Sequence, residues 1–158
     1  CNGSGFILKN KKINVKIPKG VDTGNRIRLS GEGEKNGDLY IFINVKPSRI
    51  FTRKGNDLYM EKEISFMQAV LGDKIEIQGL NDKENLAIPP GTNSGTVFKL
   101  NNHGVKDVNE NYFGDLYVKV NINIPMNLNK MQKEKLIEFS KSLGEKIKDK
   151  NIFNKVFK

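Results

Sequence analysis

The sequence predicts a mostly β protein: two small β-sandwich-like domains in tandem, the first incomplete, followed by a C-terminal helix. Three observations carry that expectation. A long passage is written twice, as IPKGVDTGNRIRLSGEG and GDLYIFINV in residues 17–45 and as IPPGTNSGTVFKLNNHG and GDLYVKVNI in residues 88–122. Apolar residues alternate with polar ones, which is the period of a strand. Only after Leu128 does the apolar spacing change to three and four, the period of a helix.

The repeat sets the register of the rest. Ile17, Pro18, Gly20, Gly24, Leu29 and Gly33 recur 71 positions on (88 − 17) as Ile88, Pro89, Gly91, Gly95, Leu100 and Gly104. Asp38, Leu39 and Tyr40 recur 77 positions on (115 − 38) as Asp115, Leu116 and Tyr117. The extra residues fall in the loop before the GDLY strand, where insertion is well tolerated. A duplicated supersecondary unit therefore organises the chain.

Each copy opens on an alternating stretch: Ile13, Val15 and Ile17 on one face in the first, Leu86 and Ile88 in the second. Pro and Gly then turn the chain. Gly24 and Gly95 precede new strands, Arg26–Leu29 and Thr96–Leu100, and their expected role is backbone geometry. A polar Gly-rich loop leads to the GDLY strands. Leu39, Ile41, Ile43 and Val45 line one face of the first, and Leu116, Val118, Val120 and Ile122 one face of the second. Tyr40 and Phe42 make the other face of the first strand apolar too, which predicts cover on both sides. Between the copies, Leu58–Ile64 and Lys74–Ile77 read as strands. Ser65–Leu71 reads as a short helix with Ser65 as N-cap and Gly72 as its stop. In the tail, Asn129 with Gln132 is a capping-box start, and Leu136, Phe139, Leu143 and Ile147 form one stripe. Gly144 is placed to end or bend that helix, and Ile152, Phe153, Val156 and Phe157 make an apolar end that needs a surface to pack on.

Composition narrows the function classes. The 158 residues are 37% apolar, enough for one or two cores, and no run approaches a membrane span. One cysteine excludes an internal disulfide and points to a reducing compartment. The net charge of +9 comes from 27 Lys and Arg against 18 Asp and Glu. The lysines are spread along the chain instead of clustered with aromatics, which argues against a nucleic-acid footprint. A basic nucleic-acid-binding β module is kept as an alternative, as is a surface lipoprotein with Cys1 as mature N-terminus. No enzyme is expected. His103 is a lone loop histidine, Gly3-Ser4-Gly5 and Gly31-Glu32-Gly33 lack the Lys-Ser/Thr of a phosphate loop, and Asp38 and Asp115 occupy one slot of two copies.

Cys1-Asn2-Gly3-Ser4-Gly5 resembles the second half of a Cys-x-x-Cys-x-Gly-x-Gly repeat, the mark of the zinc-binding module of DnaJ co-chaperones. VKIPKGVDTGNRIRLSGEGE, GDLYIFINV, RIFTRKGNDLYMEKEISFMQAVLG, IPPGTNSGTVFKLNNHGV and LNKMQKEKLIEF follow in that family's order. Essentially the whole chain resembles the C-terminal half of a zinc-containing (type I) DnaJ protein of bacterial type. The resemblance implies a remnant of the zinc module in 1–5, the second part of client-binding β domain I in 6–46, β domain II in 47–124, and a helix and dimerisation tail in 125–158. A start at Cys1 then reads as a piece of a longer protein, in which Cys1 is a zinc ligand. A structural zinc site needs four ligands, so this piece, with one cysteine and one histidine, is expected to hold none. No His-Pro-Asp tripeptide is present, so stimulation of ATP hydrolysis by a DnaK-class chaperone is not expected of it.

The resemblance also implies the mode of action. An unfolded or extended apolar polypeptide adds a strand to the edge of β domain I and drops an apolar side chain into a pocket, and the client passes to a DnaK-class chaperone. By position in the motifs, Ile13 and Ile41 match pocket residues. The dimerisation candidates are Leu136, Phe139, Leu143, Phe153, Val156 and Phe157. The implied setting is cytoplasmic, or an organelle of bacterial ancestry, with a homodimer as the working form.

Overall fold

Two hairpins of identical register recur along the chain. In the computed structural model, which describes residues 10–145 (and only the backbone of Asn36), β1 (Arg26–Leu29) pairs antiparallel with β2 (Leu39–Phe42). Arg26 stands opposite Phe42 and Leu29 opposite Leu39. Seven further elements precede the second hairpin's close: β3 (Thr52–Lys54), β4 (Asp57–Ser65), α1 (Phe66–Leu71), β5 (Asp73–Gln78), β6 (Lys83–Ile88), β7 (Val97–Leu100) and β8 (Leu116–Asn123). Here Val97 stands opposite Lys119 and Leu100 opposite Leu116, the same pairs shifted by the two offsets. The backbone bonds repeat as well. Gly24 N reaches Ile43 O at 3.0 Å and Gly95 N reaches Val120 O at 2.7 Å. Both glycines hold positive φ, 92° and 85°, a conformation that penalises any side chain.

The second copy is closed into a core. β8 lies between β7 and β4 in a four-stranded sheet of order β3-β4-β8-β7, with β4 and β8 parallel over eight residue pairs from Leu58–Leu116 to Ser65–Asn123. The β5–β6 hairpin forms a second layer. Leu58, Met60 and Ile64 of β4, Ile75 and Ile77 of β5, and Leu86 and Ile88 of β6 share one apolar cluster with β8 and with Ala69 of α1. Leu116, Val118 and Val120 are 0% exposed.

The first copy is not closed. Leu39, Ile41 and Ile43, the counterparts of those three residues, are only half-buried. Among the described residues no strand lies beside β2 where β4 lies beside β8. The expected strand at Ile13–Ile17 is absent for the same reason. Its counterpart, β6, is a strand because it pairs with β5, and the described residues before Ile13 hold no equivalent of β5. Ile13 and Val15 are half-buried in an irregular segment, and Ile17 is exposed. The expected cover over Tyr40 and Phe42 is likewise not found: they are 50% and 71% exposed.

Two helices start as their caps dictate. The Ser65 hydroxyl accepts from Gln68 N at 3.1 Å and Gln68 Oε1 accepts from Ser65 N at 2.8 Å. Asn129 and Gln132 make the same reciprocal pair at 2.8 and 2.9 Å at the start of α2 (Lys130–Ser142). Gly144, at φ 77°, follows the helix end. β3 and a short 3-10 turn at Glu34–Asn36 lie outside the sequence expectation.

Candidate functional site

Two surfaces are candidates. The first is the open β1–β2 hairpin. Side chains alternate across it, so Ile27 and Ile41, opposite each other in register, fall on the half-buried side with Leu29, Leu39 and Ile43. Arg26 and Arg28 stand opposite Phe42 and Tyr40 on the exposed side. Among the described residues, no second layer covers the strand face of Ile41 as one covers its counterpart Val118. Ile13 is half-buried but not in a strand, and its segment is tied to the Gly-rich loop by a 2.5 Å ion pair from Lys11 Nζ to Glu32.

The second surface is an apolar groove of about 1090 Å³ between α1 and α2. Met67, Val70 and Leu71 line one side, Ile124 and Leu128 the floor, and Leu136 and Phe139 the other side. Helix α1 has a single polar residue, Gln68, yet buries only Ala69, so most of its apolar side chains face the groove or solvent. That composition, an apolar helix too short to have two faces, was the signal for the groove in the sequence. Leu143 lies past the helix end and is exposed; it is not among the groove residues. Phe153, Val156 and Phe157 lie outside the described residues, as does Cys1.

The polar groups of the hairpins form clamps. Asp115 Oδ2 pairs with Lys99 Nζ at 2.7 Å, and its Oδ1 accepts from Asn102 N at 2.9 Å. The Lys99 hydrogen bond, with the Asn102 amide, lowers the Asp115 pKa below its ordinary value. Asp38 repeats the arrangement with Arg28 and with Gly31 N, at 2.6 and 3.1 Å. His103 Nδ1 lies 3.1 Å from Glu84 Oε1, which ties its loop to β6. Among the described residues no group of three or more His, Cys, Asp or Glu is placed to hold a metal ion, so they do not fit a zinc site. No described helix is long and apolar enough to cross a membrane.

The family model of the DnaJ C-terminal domain matches residues 7–125, which span the open hairpin and the closed second copy. The chain belongs to the DnaJ C-terminal domain family. It is 47% identical over 158 residues to the chaperone protein DnaJ of Clostridium beijerinckii, covering 96% of this chain and 42% of that relative. It is 48% identical over 163 residues to the chaperone protein DnaJ of Methanothermobacter thermautotrophicus, covering 99% and 43%. Against the chaperone protein DnaJ of Acetivibrio thermocellus it is 46% identical over 164 residues, covering 99% and 42%. The chain thus spans well under half the length of these DnaJ relatives, and the similarity runs on past residue 125 into the segment that carries α2.

Proposed function

We propose that this chain is the client-binding and dimerisation region of a DnaJ co-chaperone, which holds unfolded polypeptide for a DnaK-class chaperone. In this reading residues 1–5 are the end of a zinc module, 6–46 the second part of client-binding domain I, 47–124 domain II, and 125–158 the dimerisation tail. Zinc and contact with the DnaK-class partner belong to the longer protein. The region acts by binding and carries no catalytic residue.

The observation that carries the reading is the match to the DnaJ C-terminal domain over residues 7–125, within which two copies of one motif are closed to different extents. With the same sequence pattern and register, Leu116, Val118 and Val120 are sealed while Leu39, Ile41 and Ile43 are not. Among the described residues the first copy is thus a half-built sandwich, with no strand paired to the outer edge of β2 and a half-covered apolar face. In the longer protein the first half of domain I supplies the missing layer and the remaining pocket walls. Ile13 and Ile41 contribute to the pocket, and the client is held by main-chain hydrogen bonds, which tolerate many sequences.

The test is binding of an extended apolar peptide to the longer protein. Ile13→Ser and Ile41→Ser each remove apolar contact of roughly 1.5–3 kcal/mol, about one to two powers of ten in affinity. Unchanged affinity in both variants, with the fold intact, overturns the assignment. Salt separates the rival class: client binding varies little with ionic strength, whereas a nucleic-acid module loses affinity steeply.

A further inference from the structure

The two copies differ in length at one place, and the extra residues reach beyond their own hairpin. Between Gly33 and Gly37 the first copy has residues 34–36; between the equivalent Gly104 and Gly114 the second has residues 105–113. Both loops are closed by the same bond, Gly33 N to Gly37 O at 2.7 Å and Gly104 N to Gly114 O at 2.8 Å. The longer loop packs Val105 into the core of the second copy and also reaches the first copy. A Cβ on Gly20, whose φ is +92°, would lie 1.9 Å from the carbonyl oxygen of Lys106. The first copy's Pro-Lys-Gly turn therefore rests directly on the insertion, backbone against backbone.

The insertion is held firm for that contact. Asp107 accepts from Asn56 Nδ2 at 2.7 Å and from the amides of Asn109 and Glu110 at 2.8 and 2.9 Å, and Asn56 also donates to Tyr112 Oη at 2.8 Å. From the other side comes Arg53 of β3, whose side chain is 22% exposed. It donates from Nη2 to Gly20 O at 2.7 Å, from Nη1 to Val21 O at 2.8 Å, and from Nε to Gly55 O at 2.7 Å. The Asp22 carboxylate lies 3.4 Å from Nε. A planar guanidinium satisfies three carbonyls in two separate loops at once; a lysine ammonium, a point charge on a flexible stem, cannot reproduce that fork.

We infer that Arg53 and the 105–113 insertion form a joint that sets the orientation of the first copy on the second, with Arg53 as its positioning residue. The joint holds the open β1–β2 hairpin at a set distance from the α1–α2 groove. It does not depend on what either surface binds.

The experiment is a distance measurement by electron-spin resonance on the full chain. Spin labels are placed at the exposed positions Ser30→Cys and Asn81→Cys in a Cys1→Ser background. The unaltered joint gives one narrow distance distribution. Arg53→Ala, Arg53→Lys and Gly20→Ala each broaden and shift it, and Arg53→Ala with Gly20→Ala adds little to either alone, because both act on one joint. Amide exchange in β4 and β8 verifies that the second copy is folded in each variant. An Arg53 that serves stability alone would lower the melting temperature and leave the distribution of folded molecules unmoved; that result overturns the inference. If Arg53→Ala fails to fold, Arg53→Lys and Gly20→Ala carry the same decision.

Discussion

Asp38 and Asp115 each close two things with one carboxylate: a turn, through an amide of Gly31 or Asn102, and a strand pair, through Arg28 or Lys99. The recurrence of Asp at this slot is therefore explained by geometry, and acid is the natural probe. Asp115 has a lowered pKa, chiefly through the Lys99 hydrogen bond, so its contribution to stability is present above the unfolded value of 3.8 and is lost as pH falls through the lower folded value. Asp107 behaves alike, held mainly by Asn56. Lys99 has the opposite sign: its pKa is raised above 10.5, so its share is present below that value and is lost as pH rises through the folded one. Urea midpoints measured against pH should fall below about pH 4 with a shallower acid limb in Asp115→Asn; an identical limb would remove Asp115 from the account. Core leucines give a second contrast. Leu116→Ala should cost about 2–5 kcal/mol, and Leu39→Ala clearly less, because only the first leaves a closed cavity. Equal losses in denaturant unfolding would mean the first copy is as well packed as the second.

At the scale of elements, what could be read from the sequence was whatever is decided locally. The caps at Ser65 and Asn129 needed only neighbours three residues away, and both helices start there. The strands that close the second copy, the three-residue β3 apart, were readable because their partners lie within the chain. Ile13–Ile17 has the same alternation as β6 but no described partner, and alternation alone does not make a strand. Tyr40 and Phe42 misled for a related reason: apolar residues on both faces suggest burial, but burial requires a layer to supply it. Of the pocket candidates, both taken from their position in the family's motifs, Ile41 lies on a strand face as expected while the strand expected at Ile13 is not formed, and Arg53 was invisible because two of its carbonyl partners lie 32 and 33 residues away. The six-residue α1 is far too short to persist without tertiary support, so its cap matters disproportionately. Ser65→Ala should cost about 1 kcal/mol and raise amide exchange in Phe66–Leu71. Protection unchanged there would show that packing on β4 and β8 alone holds the helix.

At the scale of the molecule, the apolar surface is distributed unevenly. The core of the second copy is sealed, yet Met67, Leu71, Ile124 and Phe139 stand exposed around the α1–α2 groove. An exposed apolar patch of this kind marks an interaction surface or an aggregation hazard, and the +9 charge of the chain opposes the second. The homodimer proposed above would cover it, since two copies of an apolar helix and groove can cover one another about a two-fold axis. Light scattering over a range of concentrations should then give a dimer for the full chain and a monomer after removal of residues 127–158. Phe139→Asp should weaken the dimer while leaving the second-copy core, to which it does not belong, at its original melting temperature. A dimer that survives the deletion would place the interface on the first copy instead, with the open β2 edge, where two strands could pair, as the surface to test next.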